Sequence, residues 1–231
     1  MEDYLYVSAR KVDRMSSSLP PKIRKRLQEL QVTLGPVGGG VKLAEMPSAP
    51  PVESVQEIGR LIFETYPVRH FADPDVRAGD WIMGDQVPMV YGSVDANPYA
   101  KTTAIGDAAA FGLKFVVHDV DCIMVLIGSA ENLLDRSNPP TQPGLSMSDP
   151  QAITRLLRAR DQEGATPDFY GSTDFYPMYN ILRELEQYGS YPLKFLARAL
   201  RVHELGGERD KQRSLLGTPL FVAHDQRTLE A

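Results

Sequence analysis

Paired cysteines are missing from this sequence. Its 231 residues hold one, Cys122, so no internal disulfide, CxxC redox pair or multi-cysteine zinc site can form, and a lone thiol fits a reducing compartment. Long apolar runs are missing too. The richest, Val120 to Gly128, falls far short of the roughly 18 residues that a membrane span needs. Met1, Glu2 and Asp3 lead straight into a strand-like run rather than into the basic and apolar regions of a secretory signal. The expected location is therefore the cytoplasm, with no membrane partner. Positive charge is not in excess: 25 Lys and Arg against 30 Asp and Glu leave a net charge of -5. Such a chain has no general attraction for a phosphate backbone, so nucleic acid is not an expected partner.

The residues that are present describe an ordinary globular chain. Hydrophobic residues make up 42% and charged residues 24%, and the length suffices to bury a core without a metal or disulfide staple. The expected fold is α+β, a single domain over residues 1–231. It has a mainly antiparallel sheet with helices packed on one face, and a C-terminal half that is mostly helical.

The periodicities behind that expectation run along the chain. Tyr4 to Val7 is β-prone, and Ser8 with the charged residues after it marks a turn. Pro20 and Pro21 open a helix carrying Ile23, Leu27 and Leu30; GPVGGG at 35–40 is a flexible turn before a short strand at 41–43. Val55, Ile58, Leu61 and Ile62 form a helical stripe that ends before Pro67. From Trp81 the period becomes that of a strand, through Met83, Val87, Met89 and Tyr91. Leu113–His118 and Cys122–Ile127 read as a hairpin, and Ser129 is placed to cap a helix through Leu133. The stretch 137–150, rich in Ser, Pro and Gly, is the expected mobile loop. Three helices come next, on Ile153, Leu156 and Leu157, on Phe175 to Leu185, and on Leu193, Leu196, Ala199 and Leu200. Leu215 to Ala223 returns as a last strand that meets the Tyr4–Val7 strand in one sheet.

The chemistry carried by these elements is sparse. His118, Asp119, Asp121 and Cys122 crowd one hairpin turn, which makes His118 and Asp119 the candidate acid–base pair. Turn-forming aspartates and a small core cysteine explain the same residues more simply. His70 with Asp73 and Asp75 matches neither an EF-hand nor a zincin, so no metal site is expected. GPVGGG lacks both the ending of a P-loop and the GxGxxG spacing, and Ile-Gly-Ser-Ala-Glu at 127–131 is not GxSxG, so no cofactor is expected either. Trp81, Tyr91, Tyr170, Phe175, Tyr176 and Tyr179 are candidates to line a small-molecule pocket, with core packing the default reading for the helical ones. Lys22, Arg24, Lys25 and Arg26 make a basic helix face of the kind that usually meets water.

The segments YLYVSARKVDRM, DWIMGDQVPMVYG, VLIGSAENLL and LLGTPLFVA resemble an uncharacterised bacterial family common in actinomycetes. The resemblance touches both ends and the middle, which implies a single module, and it brings no biochemical activity with it. Some members look like accessory components of multi-gene bacterial systems. Arg14 before Met15, the charges at Asp119 to Asp121, and Glu131 depart from the family pattern.

Two functions are consistent with these readings. One is a non-catalytic module that binds a protein partner or small ligand within a multi-gene bacterial system. The other is a metal-free cyclase or hydrolase of specialised metabolism, its substrate held by Trp81, Tyr91 and the 170–179 region beside His118 or Asp119. A pocket of about 300 Å³ or more, lined by those aromatics with an ionisable group at its wall, would favour the enzyme.

Overall fold

The computed structural model describes residues 3–18, 52–94, 108–134, 150–161, 175–205 and 211–224. The expected helix at 20–30, the GPVGGG turn with the strand after it, Tyr170, and nearly all of the 137–150 loop lie outside these residues. In chain order the elements are β1 (Asp3–Val7), α1 (Ala9–Ser18), α2 (Val52–Thr65), β2 (Val68–His70), β3 (Trp81–Val94), β4 (Ala108–Val117) and β5 (Val120–Ser129). The remainder are α3 (Pro150–Asp161), α4 (Phe175–Leu185), β6 (Tyr191–Leu205) and β7 (Gln212–His224).

Five of the strands close on themselves. β3, β4 and β5 form an antiparallel meander, β5 pairs in parallel with β7, β7 pairs antiparallel with β6, and β6 returns antiparallel to β3. β3 serves both sides of the closure because it is bent: Trp81 to Met89 pair with β6, Val90 to Val94 pair with β4, and a bulge lies between Gly84 and Val87. Gln86 in that bulge has a φ of 54°. Counted from β3, the barrel order is 1-2-3-5-4-1 with the 3–5 pair parallel, the connectivity of an OB-type Greek-key barrel. β1 extends the wall beside β7, as the sequence predicts, and β2 lies parallel to β3.

This barrel corrects the sequence-based fold in two ways. The strands do not form a sheet covered on one face; they close, and helices cover the barrel on two sides. The C-terminal half is not mostly helical either, because the stripe Leu193, Leu196, Ala199 and Leu200 belongs to the strand β6, and His203 sits on that strand too. The reason lies in burial on both faces. Leu193, Phe195, Ala197 and Ala199 point into the barrel, while Leu196 packs outward under α1 and α2, and Leu200 outward under α3 and α4. With apolar residues on both faces, period two vanishes and a helical spacing emerges by chance.

Three apolar clusters result. Val87, Met89, Phe111, Leu113, Met124, Leu126, Phe195 and Leu215 fill the barrel. Ile123, Val125 and Ile127 pack outward against Ile153 and Leu156 of α3 and Met178, Ile181 and Leu182 of α4. Tyr4, Val7, Leu196 and Leu220 pack on the other side against Val12 of α1 and Val55, Ile58 and Ile62 of α2. Gly112 lets α4 approach, since a Cβ there would lie 2.3 Å from Leu182 Cδ2. One end of the barrel is plugged by the segment after β2, whose Phe71 meets Phe115 edge-on at 5.0 Å. Arg213, buried at the start of β7, holds this plug by donating to the Asp73 and Val76 carbonyls at 3.0 Å each.

Candidate functional site

His118 and Asp119 form the two-residue turn between β4 and β5, with φ values of 48° and 63°. Both central residues are left-handed, which is the type I′ geometry that matches the twist of the flanking strands. Both side chains are exposed, as is Asp121, whereas Cys122 is buried and donates its thiol to the Val120 carbonyl at 3.3 Å. Burial pushes the Cys122 thiol up, against the pull of nearby Arg213. Cys122 therefore turns into the core while His118, Asp119 and Asp121 stay exposed. Among the described residues no group of three or more His, Cys, Asp or Glu is placed to hold a metal.

The candidate aromatics part as well. Trp81 is buried in the cluster under α1 and α2. Tyr91 stacks on Phe111 at 5.8 Å, at the end of the barrel opposite the plug, and meets Tyr191 and His224 edge-on at 5.4 and 6.4 Å. Phe175 and Tyr176 are half-buried at the start of α4, with Phe175 against the cluster under that helix. Tyr179 lies beneath Lys114 Nζ, 4.4 Å from its ring centre. Trp81, Tyr91 and Phe175 thus pack in three different clusters. Ser129 does not cap by its side chain, and it leads into a single 3-10 turn, Ala130–Asn132, rather than a helix through Leu133.

The geometry brings a different set together. Between α2 and the outer wall made by β1, β3, β6 and β7 runs an open groove of about 370 Å³. Gln56, Gly59, Arg60 and Phe63 recur at one helical face of α2 and form one bank. Tyr4, Met83 and Phe221 form an apolar floor, with Tyr4 and Phe221 meeting edge-on at 5.5 Å. Asp85 and Lys194 stand on the far bank. Arg60 is held by Glu57, at 2.7 Å, and by Glu64. Phe63 is 48% exposed, so the groove carries an aromatic ring that the fold itself leaves uncovered. Sequence reasoning missed this site because its residues come from five elements. The one visible signal was Phe63, apolar and off the buried stripe of Val55, Ile58 and Ile62.

OB-type barrels bind oligonucleotides and oligosaccharides on the face of their second and third strands. Here α3 and α4 cover that face over Ala108, Ala110, Ile123, Val125 and Ile127. The connectivity alone therefore carries no ligand over to this chain. Among the described residues no helix is long and apolar enough to cross a membrane.

Fold and groove together define a class: a closed five-stranded Greek-key barrel with helices on two sides and an open aromatic groove on one of them. The chain belongs to the family described as Family of unknown function (DUF7019), whose model matches residues 3–226. No curated protein and no solved structure matches it.

Proposed function

We propose that this chain is a non-catalytic binding module, working in the cytoplasm, whose groove between α2 and the barrel holds a small amphipathic organic molecule. The groove carries the reading. Its volume, about 370 Å³, suits a small molecule better than a helix or a protein loop. Its apolar floor with Gln56, Arg60, Asp85 and Lys194 on the banks suits a ligand with a flat apolar body and a polar end.

Titration with 8-anilinonaphthalene-1-sulfonate, itself a flat apolar body with one anionic end, tests this. The chain has one tryptophan, Trp81, in the cluster that lies beneath α2, so energy transfer from Trp81 reports a probe bound nearby. One saturable site is expected. Gly59→Leu, which fills the groove from α2, abolishes it, and Phe63→Ser weakens it about fivefold or more with the thermal transition kept. Binding that neither substitution alters would refute the proposal.

A further inference from the structure

The charges around the groove between α2 and the barrel do not cancel. On the α2 bank Arg60 donates from Nε and Nη2 to the Glu57 carboxylate at 3.1 and 2.7 Å, and from Nη1 to Glu64. Its positive charge is thus met by two carboxylates before any ligand arrives. On the far bank Lys194 lies opposite the β3 bulge that carries Asp85. Among the described residues, two positive charges at the groove, Arg60 and Lys194, therefore meet three negative ones, Asp85, Glu57 and Glu64. The chain's net charge of -5 adds to the same sign, which favours the approach of a cation.

The apolar part of the groove is aromatic rather than aliphatic. Tyr4 and Phe221 meet on its floor, Met83 lies beside them, and Phe63 stands on the α2 bank with its ring uncovered. Gly59, one turn before Phe63, keeps the space at Phe221 clear: a Cβ there would stand 3.7 Å from Phe221 Cε1. The face of an aromatic ring is negative, so it attracts a cation and gives an anion no such gain. Rings accept few hydrogen bonds, and a primary ammonium would give up water to reach them. A quaternary ammonium has no N–H to leave unmatched.

We propose that the groove takes quaternary ammonium compounds with an apolar body, the charged end held by the rings of Tyr4, Phe63 and Phe221 with the Asp85 carboxylate at the rim. This ligand class rests on the groove being the binding site, as proposed above, and gives the ligand's polar end a sign and a chemistry. Binding makes and breaks no covalent bond. A sulfonate such as the naphthalene probe enters the same groove for its apolar body, against the local charge.

Ligand-observed NMR titrations of the intact chain test this, with benzyltrimethylammonium as the cation and phenylmethanesulfonate as an anion of similar size and shape. The ammonium is expected to bind at least about tenfold more tightly than the sulfonate. Gly59→Leu removes the binding of both. Phe63→Leu keeps an apolar contact and removes the ring, so it lowers ammonium affinity about threefold or more and leaves sulfonate affinity within about twofold. Asp85→Asn lowers ammonium affinity and raises that of the sulfonate. Phe63 and Asp85 are both exposed, so the thermal transition of either variant is kept. A sulfonate that binds as tightly as the ammonium overturns the ligand class and leaves the groove as a binding site. Ammonium binding that Phe63→Leu and Asp85→Asn both leave unchanged overturns it equally. If neither these probes nor the naphthalene sulfonate respond to Gly59→Leu, the groove itself is refuted as the site.

Discussion

The hydroxyl of Tyr6 occupies the space that a side chain on Gly128 would need: a Cβ there would stand 2.2 Å from Tyr6 Oη. Tyr6 is 1% exposed, meets Phe111 edge-on at 5.7 Å, and accepts a hydrogen bond from Asn132 Nδ2 at 3.5 Å. Burial pushes its phenol up to about 12, against the opposing pull of its hydrogen bonds to Asn132, Ser8 and Ser129. Gly128→Ala is therefore expected to destabilise the protein by about 2–3 kcal/mol in urea unfolding, the cost of overpacking a filled core. Combining it with Tyr6→Leu should cost clearly less than the two single changes added together. Strict additivity would show that the two residues do not compete for this space.

Stability should climb with pH through the alkaline range because of Lys11. Its folded value, about 7, lies below the ordinary 10.5 that the unfolded chain regains. Between these values the unfolded state binds more protons, so stability rises from about pH 7 to about pH 10.5 and is flat with respect to this group below 7. The half-buried side chain is partly screened, which holds the rise to about 2 kcal/mol. Lys11→Met should remove that rise, as read from urea midpoints at pH 6.5, 8 and 9.5. Parallel curves for the two proteins would contradict the assignment.

Arg213 should prove essential to the plugged end of the barrel. Its guanidinium satisfies the buried Val76 carbonyl and the part-buried Asp73 carbonyl, so Arg213→Leu leaves both oxygens without those partners. A loss of about 2–4 kcal/mol is expected. Amide exchange at 71–80 should quicken well beyond that of β4 and β5. If those amides exchanged no faster, the plug would be held by Phe71 and Val76 alone.

The turn offers a gain. His118 and Asp119 are non-glycine residues with left-handed φ, so replacing the pair by Asn-Gly should raise stability by about 0.5–1 kcal/mol. Groove binding of the naphthalene sulfonate should stay unchanged, since the turn is not part of the groove. A loss of that binding would return these two residues to the site.

Much of the fold is legible wherever local rules act alone. The Tyr4–Val7 strand, the α2 stripe of Val55, Ile58 and Ile62, and the β4–β5 hairpin all arise from spacing and turn chemistry. The helix α1 passed unread because its described apolar anchors are only Val12 and Met15, among charged and serine residues. The described candidate aromatics are dispersed for another reason. Trp81, Tyr91 and Phe175 are residues of the right kinds, but a barrel wall separates its interior from two exteriors, and each ring falls on a different one.

The sequence by itself determined that a core would form, without disulfides, from short strands and amphipathic helices, because composition and periodicity are local properties. Only the tertiary structure decided that β6 is a strand, since apolar residues on both its faces erase the alternation that would announce it. Closure of the barrel, the groove under Phe63, and the meeting of Lys11 with Thr218 depend on the long-range pairings of β3 with β6, of β5 with β7 and of β1 with β7. No pattern within one element can encode such a pairing, because the partners that stabilise it lie far along the chain.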